Sequence, residues 1–406
     1  MHVGLPLEME ATQGFDNQGK AILQHKTFQK DKVFTLSFAH LAHDTYSAFL
    51  APILPLLIDK LGISLFMSAF LDIARSVPAL LNPFFGLIAE KTGIKYFVIL
   101  TPAITAMSMS LIGLATSYSV VFILLFVAGI SAALFHVPSP TMVKESSGEK
   151  VGTGMSFFMV GGELARTLGP LLVTTGISLW GLEGMYKLMP LGLIASIILY
   201  IKLKDFDTNR PVQKPKEKGD TKRVLKTFTP FLSALAGFIL FQSAMKRALT
   251  LYLPVYLIAQ GQSLWYAGIS LSVLQGFGVL GAMFSGHISD KIGRQNTLLI
   301  ASSGSVVAMA LFIFSGHMVF LALLGLFLLS TGPVLMASVQ DTNSNMPTFL
   351  NSMYMSINFG VSSFVVFGVG LAGDIWGLHV TYIVCNIIAL GCIPMAFLLG
   401  KALLKA

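Results

Sequence analysis

Charged residues are scarce in this sequence. Asp, Glu, Lys and Arg together make up 11% of the 406 residues, whereas a soluble globular protein contains about 25%. Hydrophobic residues account for 54% of the chain. A chain with so few charges cannot keep most of its surface in water. The composition therefore excludes an ordinary soluble domain and indicates a protein embedded in a membrane.

Cysteine and enzyme motifs are also lacking. The only cysteines, Cys385 and Cys392, share the last apolar stretch and fit small core residues better than a disulfide framework. There is no Walker A loop, no His-Glu-x-x-His and no Gly-x-Ser-x-Gly, the motifs of nucleotide sites and hydrolases. We therefore expect neither an enzyme nor a cofactor. Any work done must draw on an ion gradient or a solute gradient.

What the sequence does contain is a series of apolar stretches of roughly 20 residues or more, enough for a helix to cross a ~30 Å hydrocarbon core. The predicted fold class is all-α integral membrane, with twelve spans. These lie near residues 33–58, 63–89, 96–116, 118–143, 152–176, 184–203, 228–257, 263–289, 296–314, 316–340, 347–372 and 377–403. The first 32 residues are polar and include no small-residue cleavage site, so no removable signal peptide is expected.

The distribution of Lys and Arg predicts the orientation. With the N-terminus inside, the inner segments carry 21 of the 27 basic residues, and the outer loops carry only Lys60 and Lys187. The net charge of +8 is thus explained by topology, and no nucleic-acid partner is expected. We predict a multi-pass protein of the cell (inner) membrane with both termini cytoplasmic, and a monomer.

A charged, Pro-containing segment divides the chain in the middle. It covers residues 204–227 and reads as a cytoplasmic linker. The predicted domains are an N-terminal cytoplasmic tail, a six-helix half, this linker and a second six-helix half, at 1–32, 33–203, 204–227 and 228–406.

An internal repeat supports the two halves. Gly86-Leu-Ile-Ala-Glu90-Lys91-Thr-Gly93 recurs 200 residues later as Gly286-His-Ile-Ser-Asp290-Lys291-Ile-Gly293, followed by Arg294, and Pro55-Leu-Leu-Ile has a counterpart at Pro254-Val-Tyr-Leu, 199 residues on. Two matches at nearly one offset indicate six plus six helices. The repeated loop resembles the signature of the major facilitator superfamily. We expect its glycine to permit close helix approach and its charged residues to act in conformational change.

A narrower resemblance is to the fosmidomycin-resistance-like branch of that superfamily. It rests on matching segments in spans 1, 4 and 5 and between spans 10 and 11. These are His40-Leu-Ala-His43-Asp44, Phe135-His136 with Pro138, Gly161-Gly162 with Leu168-Gly169-Pro170-Leu171-Leu172, and Gln340-Asp341 with Pro347. The resemblance implies export of small anionic antimicrobials through a cavity lined by spans 1, 4, 7 and 10. The Gly169-Pro170 step also resembles part of a motif of proton-coupled exporters.

Ionisable residues inside the predicted spans are the first candidates for a site, since charges are costly in a bilayer and usually face a cavity or a partner. The acids are Asp44, Asp72 and Glu163, the bases are Arg75, Arg166, Lys246 and Arg247, and the histidines are His40, His43 and His136.

Helix 1 carries a polar stripe. His40, Asp44 and Ser47 follow i, i+4, i+7 spacing, and His43 lies beside them. A His–Asp pair can bind and release protons, so His40, His43 and Asp44 are proton-coupling candidates, with Glu163 and His136. A polar pair that only locks helices together is one alternative. A metal site formed with His136 is another, because histidine and carboxylate are zinc ligands.

Two spans carry an acid and a base three residues apart. Asp72 with Arg75 and Glu163 with Arg166 can each neutralise themselves on one helix face. One hypothesis makes both pairs internal salt bridges. The other places Glu163 or Arg166 at the cavity, because Glu163 lies roughly 16 Å into its span at the helical rise.

Span 7 carries two bases and no acid. By the repeat, Lys246 corresponds to Ser47 of the polar stripe and should face the cavity, with Arg247 pointing about 100° away on the helical wheel. An excess of cations predicts an anionic substrate, although Lys246 paired with Asp44 is an open alternative. The predicted substrate-binding residues are Lys246, Arg247, Gln242, Tyr252, Gln275 and Asn358.

These observations predict a secondary transporter that works by alternating access. Its expected partners are protons, the lipid bilayer and a small organic, anionic solute, and its expected mode is proton-coupled efflux by antiport. The alternative keeps the fold and moves a transition metal or its chelate, held by His40, His43, Asp44 and His136.

Overall fold

The computed structural model describes residues 27–82, 95–148, 150–206, 221–342, 344 and 347–403, together with the backbone of two short strands. Strands β1 (Gln13–Phe15) and β2 (Ala21–Leu23) pair antiparallel. Apart from these strands, the described residues form helices and short connections.

Within its described residues, the first half contains six helices. Helix α1 has two segments, α2 ends in a 3₁₀ turn at Val77–Leu81, and α4 is broken near Pro138. The bounds are α1 Lys30–Ser47 and Leu50–Leu61, α2 Leu65–Ser76, α3 Lys95–Leu111, α4 Tyr118–His136 and Ser139–Ser147, α5 Val151–Trp180, and α6 Met189–Leu203.

The second half repeats this pattern. The stretch Pro347–Ala389 contains two helices, α11 and α12, which are separated at Gly377 by its positive φ. The bounds are α7 Thr221–Ala259, α8 Leu264–Ile292, α9 Arg294–Ser315, α10 Met318–Leu328 and Thr331–Gln340, α11 347–376, and α12 378–389 with Cys392–Leu403. The predicted fold of twelve helices in two halves is confirmed.

Several helix boundaries differ from the sequence prediction by three or more residues, and two of these lie beside the predicted tail and linker. Helix α1 begins at Lys30 and α7 begins at Thr221. The last seven residues of the predicted linker, 221–227, are therefore helical, and its residues 207–220 lie outside the described part. Lys, Arg and Leu are good helix formers, so an apolar span can extend as a polar helix beyond the bilayer.

The loops before α2 and α8 show the repeat in atomic detail. Gly62 and Gly261 both adopt positive φ, at 60° and 82°, a conformation that glycine reaches without steric cost. Two residues later, Ser64 caps α2 by accepting from the backbone N–H of Met67, and Ser263 caps α8 in the same way. Each pair is separated by 199 residues, the offset found for the proline-containing segments.

Three buried cores show how the halves meet. The largest contains residues of both halves, such as Leu54 and Leu57 of α1 with Leu249 and Leu253 of α7. The two others belong to one half each: one surrounds Val98 of the first half, and one is formed within the second half. We call the end near the shared core the outer end, after the charge-based orientation. The halves are thus joined at the outer end and have separate cores at the inner end.

Candidate functional site

Asp44 of α1 lies at the centre of three histidines. Its Oδ1 is 2.9 Å from His43 Nδ1 and 3.2 Å from His136 Nε2, and its Oδ2 is 3.3 Å from His40 Nε2. His40, His43 and Asp44 are buried, whereas the His136 side chain is 41% exposed. We call these four residues the Asp44 cluster. The structure therefore brings together the helix 1 stripe and the helix 4 histidine, with one member open to the surroundings.

Neighbouring helices shape this cluster. A Cβ on Gly162 of α5 would lie 2.4 Å from the His40 ring, and one on Gly161 would lie 2.3 Å from the Ser37 carbonyl. These two glycines therefore let α5 approach α1 and leave room for an imidazole. The first segment of α4 ends at His136, directly before the break at Pro138, as expected where proline interrupts a helix.

Backbone and hydroxyl groups contact the ring nitrogens of the two α1 histidines that face away from Asp44. His40 Nδ1 is 2.8 Å from the Phe158 carbonyl, and His43 Nε2 is 3.0 Å from Thr105 Oγ1. The His40 ring stacks on Phe158 and the His43 ring stacks on Phe135. Both rings are fixed by contacts on the side away from Asp44, so the carboxylate sits among pre-oriented nitrogens.

Lys246 of α7 is half-buried near three other charges, Arg247, Glu163 and Arg166. Glu163 is occupied, because its Oε1 lies 2.8 Å from Nη1 of Arg166 on the same helix. Within the described residues, no carboxylate forms an ion pair with Lys246, and the three ion-pair contacts of Asp44 are all with histidines. In this conformation the alternative pairing of Lys246 with Asp44 is not formed.

Asp72 links the two halves through a pair of arginines. Its Oδ1 is 3.2 Å from Arg75 Nη2 on α2, and its Oδ2 is 3.1 Å from Arg247 Nη1 on α7. Arg75 also donates to the Ser47 carbonyl at 3.0 Å. The Asp72–Arg75 pair expected from the sequence does form, and Arg247 is a second partner of Asp72. In this conformation Arg247 bridges the halves and is turned to Asp72.

The other predicted lining residues are scattered. Gln242 is buried and donates to the Leu328 carbonyl at 3.1 Å and to Thr331 Oγ1. Tyr252 is buried at the outer junction and donates to the Leu65 carbonyl at 2.9 Å. Gln275 is half-buried on α8 and Asn358 is exposed on α11. The structure thus gives Gln242 and Tyr252 packing contacts within the protein.

The second copy of the repeated loop motif is described, and the first is not. Arg294 contacts Asp290, and its Nε lies 2.7 Å from Asp341 Oδ2. Gly293 has a φ of 88° between α8 and α9, and Lys291 is exposed beside it. A Cβ on Gly286 would meet nothing within 4 Å, so the expected close helix approach does not explain that glycine. Gly86, Glu90, Lys91 and Gly93 lie outside the described residues.

One contact between the halves involves Asp374, a residue that the sequence did not single out. Asp374, at the outer end of α11, accepts from the backbone N–H groups of Leu65 and Phe66 at 2.8 and 2.9 Å. These N–H groups begin α2 and have no helical partner of their own. A carboxylate there also complements the positive end of the helix dipole. Asp374 therefore caps a helix of the opposite half, and its position after the predicted span is the only sequence signal.

Comparison with known proteins agrees with this architecture. Residues 36–349 match the family model described as Major Facilitator Superfamily. The chain belongs to the Major Facilitator Superfamily. As a member of it, the chain is a multi-pass, membrane-embedded transporter.

Relatives extend the comparison. The chain is 22% identical to the fosmidomycin resistance protein of Escherichia coli (strain K12), covering 87% of this chain and 89% of that protein. It is 27% identical to a multi-drug resistance efflux pump of Streptococcus pneumoniae serotype 4, over 68% of this chain and 72% of the pump. The predicted resemblance to the fosmidomycin-resistance-like branch is confirmed.

Solved structures show the same fold. A bacterial homolog of the human lysosomal transporter Spinster has a TM-score of 0.66 at 14% identity, covering 94% of this chain and 96% of its own. The nucleoside transporter NupG has a TM-score of 0.67 at 15% identity, covering 92% and 99%. At this identity the likeness concerns the fold alone.

The metal-transport alternative is not supported by these comparisons. His40, Asp44 and His136 could each present one ligand atom, and these atoms lie within 4.8 Å of one another. However, the two relatives described above are named for fosmidomycin resistance and for multi-drug efflux.

Proposed function

We propose that the protein exports a small organic anion across the cell membrane in exchange for protons. The observation that carries the proposal is the unpaired cation Lys246. In the described part of the chain, Asp72 and Glu163 are each bonded to arginine, while Lys246 has no ion-pair partner. A half-buried cation inside the membrane is unfavourable without a counter-ion, so binding of a carboxylate or phosphonate at Lys246 would be favourable.

The proton half of the proposal rests on the Asp44 cluster. Histidine titrates near neutral pH, and three of them share one carboxylate here. Because His136 is partly exposed, protons can reach the buried members through it. The cluster belongs to α1 and α4, whereas Lys246 belongs to α7, so protons and substrate would load opposite halves.

The way in which the halves meet supports transport by alternating access. They share a core at the outer end and have separate cores at the inner end. We propose that this is the inward-facing state of a transporter whose termini are cytoplasmic. Rocking of the halves about the central site would then expose it to the outside.

The relatives suggest the first substrate to try. Because one of them is named for fosmidomycin resistance, we propose fosmidomycin as the probe. Purified protein would be reconstituted into liposomes with an acidic lumen, and uptake of labelled fosmidomycin would be followed. Antiport predicts accumulation that collapses when a protonophore dissipates the pH gradient.

The reverse gradient and a variant provide the controls. Asp44→Asn should bind the probe but fail to concentrate it. Accumulation only with an acidic exterior would indicate symport and would contradict exchange. Transport that ignores both gradients would refute proton coupling, and a preference for cationic over anionic solutes would refute the role of Lys246.

A further inference from the structure

Two hydroxyl groups fix the hydrogen on one nitrogen of His43. Ser131 Oγ donates to the Thr101 carbonyl at 3.0 Å, and Thr105 Oγ1 donates to Ser131 Oγ at 2.8 Å. Each hydroxyl has a single hydrogen to give. Thr105 can therefore only accept at its contact with His43 Nε2, 3.0 Å away. We assign a hydrogen to Nε2 of His43.

The second nitrogen of His43 faces a carboxylate. Nδ1 lies 2.9 Å from Asp44 Oδ1. A bare imidazole nitrogen and a carboxylate oxygen both only accept hydrogen bonds, so the contact needs a proton between them. A neutral His43 has already placed its one hydrogen on Nε2. The proton in this gap is therefore an additional one, whether it resides on Nδ1 or on Oδ1.

The same reasoning applies to His40, whose Nδ1 faces a backbone carbonyl. Its Nδ1 is 2.8 Å from the Phe158 carbonyl, which only accepts, so Nδ1 carries a hydrogen. Its Nε2 is 3.3 Å from Asp44 Oδ2, an ion-pair distance at which a bare nitrogen would face a carboxylate oxygen, so we place a second additional proton there. His136 needs none, because a neutral ring can donate from Nε2 to Oδ1 at 3.2 Å.

We infer that the Asp44 cluster holds two protons beyond the state with ionised Asp44 and three neutral histidines. Three hydrogen bonds and two ion-pair contacts are all satisfied by five hydrogens, of which three neutral rings supply three. The two extra protons come from water and return to it, and only N–H or O–H bonds form and break. Interpreting this count as two protons per transport cycle rests on the proposed function.

Charged groups on the neighbouring helices do not offer another base for these protons. The two acids among them, Asp72 and Glu163, are each bonded to arginine in the described structure. The charged groups at this depth on the helices around α1 are Asp72 and Arg75 on α2, Glu163 and Arg166 on α5, and Lys246 and Arg247 on α7.

The second half shows that packing alone does not require a titratable ring. By the repeat, His43, Thr105 and Ser131 correspond to Gln242, Ser305 and Thr331, at offsets of 199 or 200 residues. Gln242 donates to Thr331, the counterpart of Ser131, whereas the ring of His43 contacts Thr105. A neutral amide thus bonds to a hydroxyl of the corresponding polar group, and His43→Gln introduces the residue that stands at the equivalent position of α7.

Nitrogen NMR on the intact protein in lipid nanodiscs tests the count. The 15N shifts of labelled histidine distinguish a bare ring nitrogen, an N–H and a doubly protonated ring. The chain has eight histidines, so signals can be assigned by single substitutions. We expect hydrogens on both ring nitrogens of His40, and a His43 that is doubly protonated or shares its Nδ1 hydrogen with Asp44.

The variants sharpen the result. His43→Gln should remove one of the two additional protons and leave the His40 ring protonated. The control His317→Gln, at an exposed position, should lose only its own signal. A His43 with a bare Nδ1 beside an ionised Asp44 would overturn the inference, as would a neutral His40 or stoichiometric zinc bound to the cluster. The wild-type spectrum decides the matter even if His43→Gln fails to fold.

This experiment is separate from the transport assay. Transport that ignores a pH gradient would refute proton coupling and leave the proton count unchanged. A cluster with one additional proton or none would refute the count and leave coupling by fewer protons intact.

Discussion

At the scale of single residues, the polar groups inside the membrane differ in how completely they are satisfied. Asp44 has three imidazole partners and Asp72 has two arginine partners. Lys246 has no ion-pair partner among the described residues. Charged groups with ion-pair partners stabilise one conformation, whereas a cation without such a partner can still accept an anion. This contrast separates Lys246 from Arg247, its neighbour in the sequence.

The first prediction concerns Lys246. Lys246→Gln keeps a polar side chain but removes the charge, so an anion loses a charge-assisted contact worth ~1.5–3 kcal/mol. We expect the KM for an anionic probe to rise roughly 10- to 150-fold in the liposome assay. Lys246→Arg should restore part of the loss, and Lys401→Gln, exposed at the end of α12, should change nothing. An unchanged KM in Lys246→Gln would remove this residue from the substrate site.

At the scale of helices, the N-terminus of α2 is completed by the other half of the protein. Ser64 caps the helix locally, and Asp374 accepts the N–H groups of Leu65 and Phe66. These bonds can exist only while the outer ends of α2 and α11 are together. We therefore expect the cap to act as a latch for the outer end as well as a stabilising contact.

A second prediction follows for this latch. Asp374→Ala removes both acceptors of a charge-assisted cap worth ~1.5–3 kcal/mol, so the outer end should open more often. Ser68→Cys, at a buried position of α2, would report opening in a protein whose Cys385 and Cys392 are replaced by Ala. We expect labelling by a membrane-impermeant maleimide to be roughly tenfold faster or more.

Two further variants control this experiment. Asp374→Asn keeps one acceptor oxygen and should give an intermediate rate. Glu183→Ala removes an outer acid that pairs with Lys60 of its own half, and it should leave the rate unchanged. Equal labelling of Asp374→Ala and the parent protein would refute the latch.

At the scale of the whole molecule, the halves are held by a shared core, by hydrogen bonds at the outer end and by a bridge of three charges. Arg75 and Arg247 bind opposite oxygens of Asp72. Removing the carboxylate leaves two cations close together, whereas removing Arg247 leaves the pair Asp72–Arg75 intact. Breaking a buried pair by deleting one partner is strongly destabilising because the other charge remains.

The third prediction ranks these variants. Asp72→Asn should lower the free energy of unfolding by roughly 3 kcal/mol, near the low end for buried pairs, because both arginines are partly exposed. Arg247→Gln should cost less, and the double variant should recover part of the loss. Thermal unfolding in nanodiscs measures the order. Asp31→Asn, which removes an exposed pair with Lys202, should have little effect, and an Asp72→Asn protein as stable as Arg247→Gln would contradict the bridge.

Much of the fold follows from composition and repetition. Low charge, twelve apolar stretches and the 200-residue offset require a two-half helical bundle, because only helices or closed barrels satisfy backbone groups in lipid. Spacing also predicted the pairs Asp72–Arg75 and Glu163–Arg166, since residues three apart on a helix are neighbours. His136 and Asp44 were joined only in the metal-site alternative, on the chemistry of their side chains, because no spacing rule places helix 1 beside helix 4.

The remaining contacts depend on how helices pack, which periodicity does not encode. Nothing in the sequence around Asp374 points to the N–H groups of Leu65, which are separated from it by 309 residues. The sharing of Asp72 by Arg247 and the chain from His43 through Thr105 to Ser131 also join distant segments. The sequence by itself determined that this chain crosses the membrane in two related halves and which polar groups it carries there. Only the tertiary structure decided which of those groups neutralise one another, because partners come from different helices and the packing of those helices selects among them.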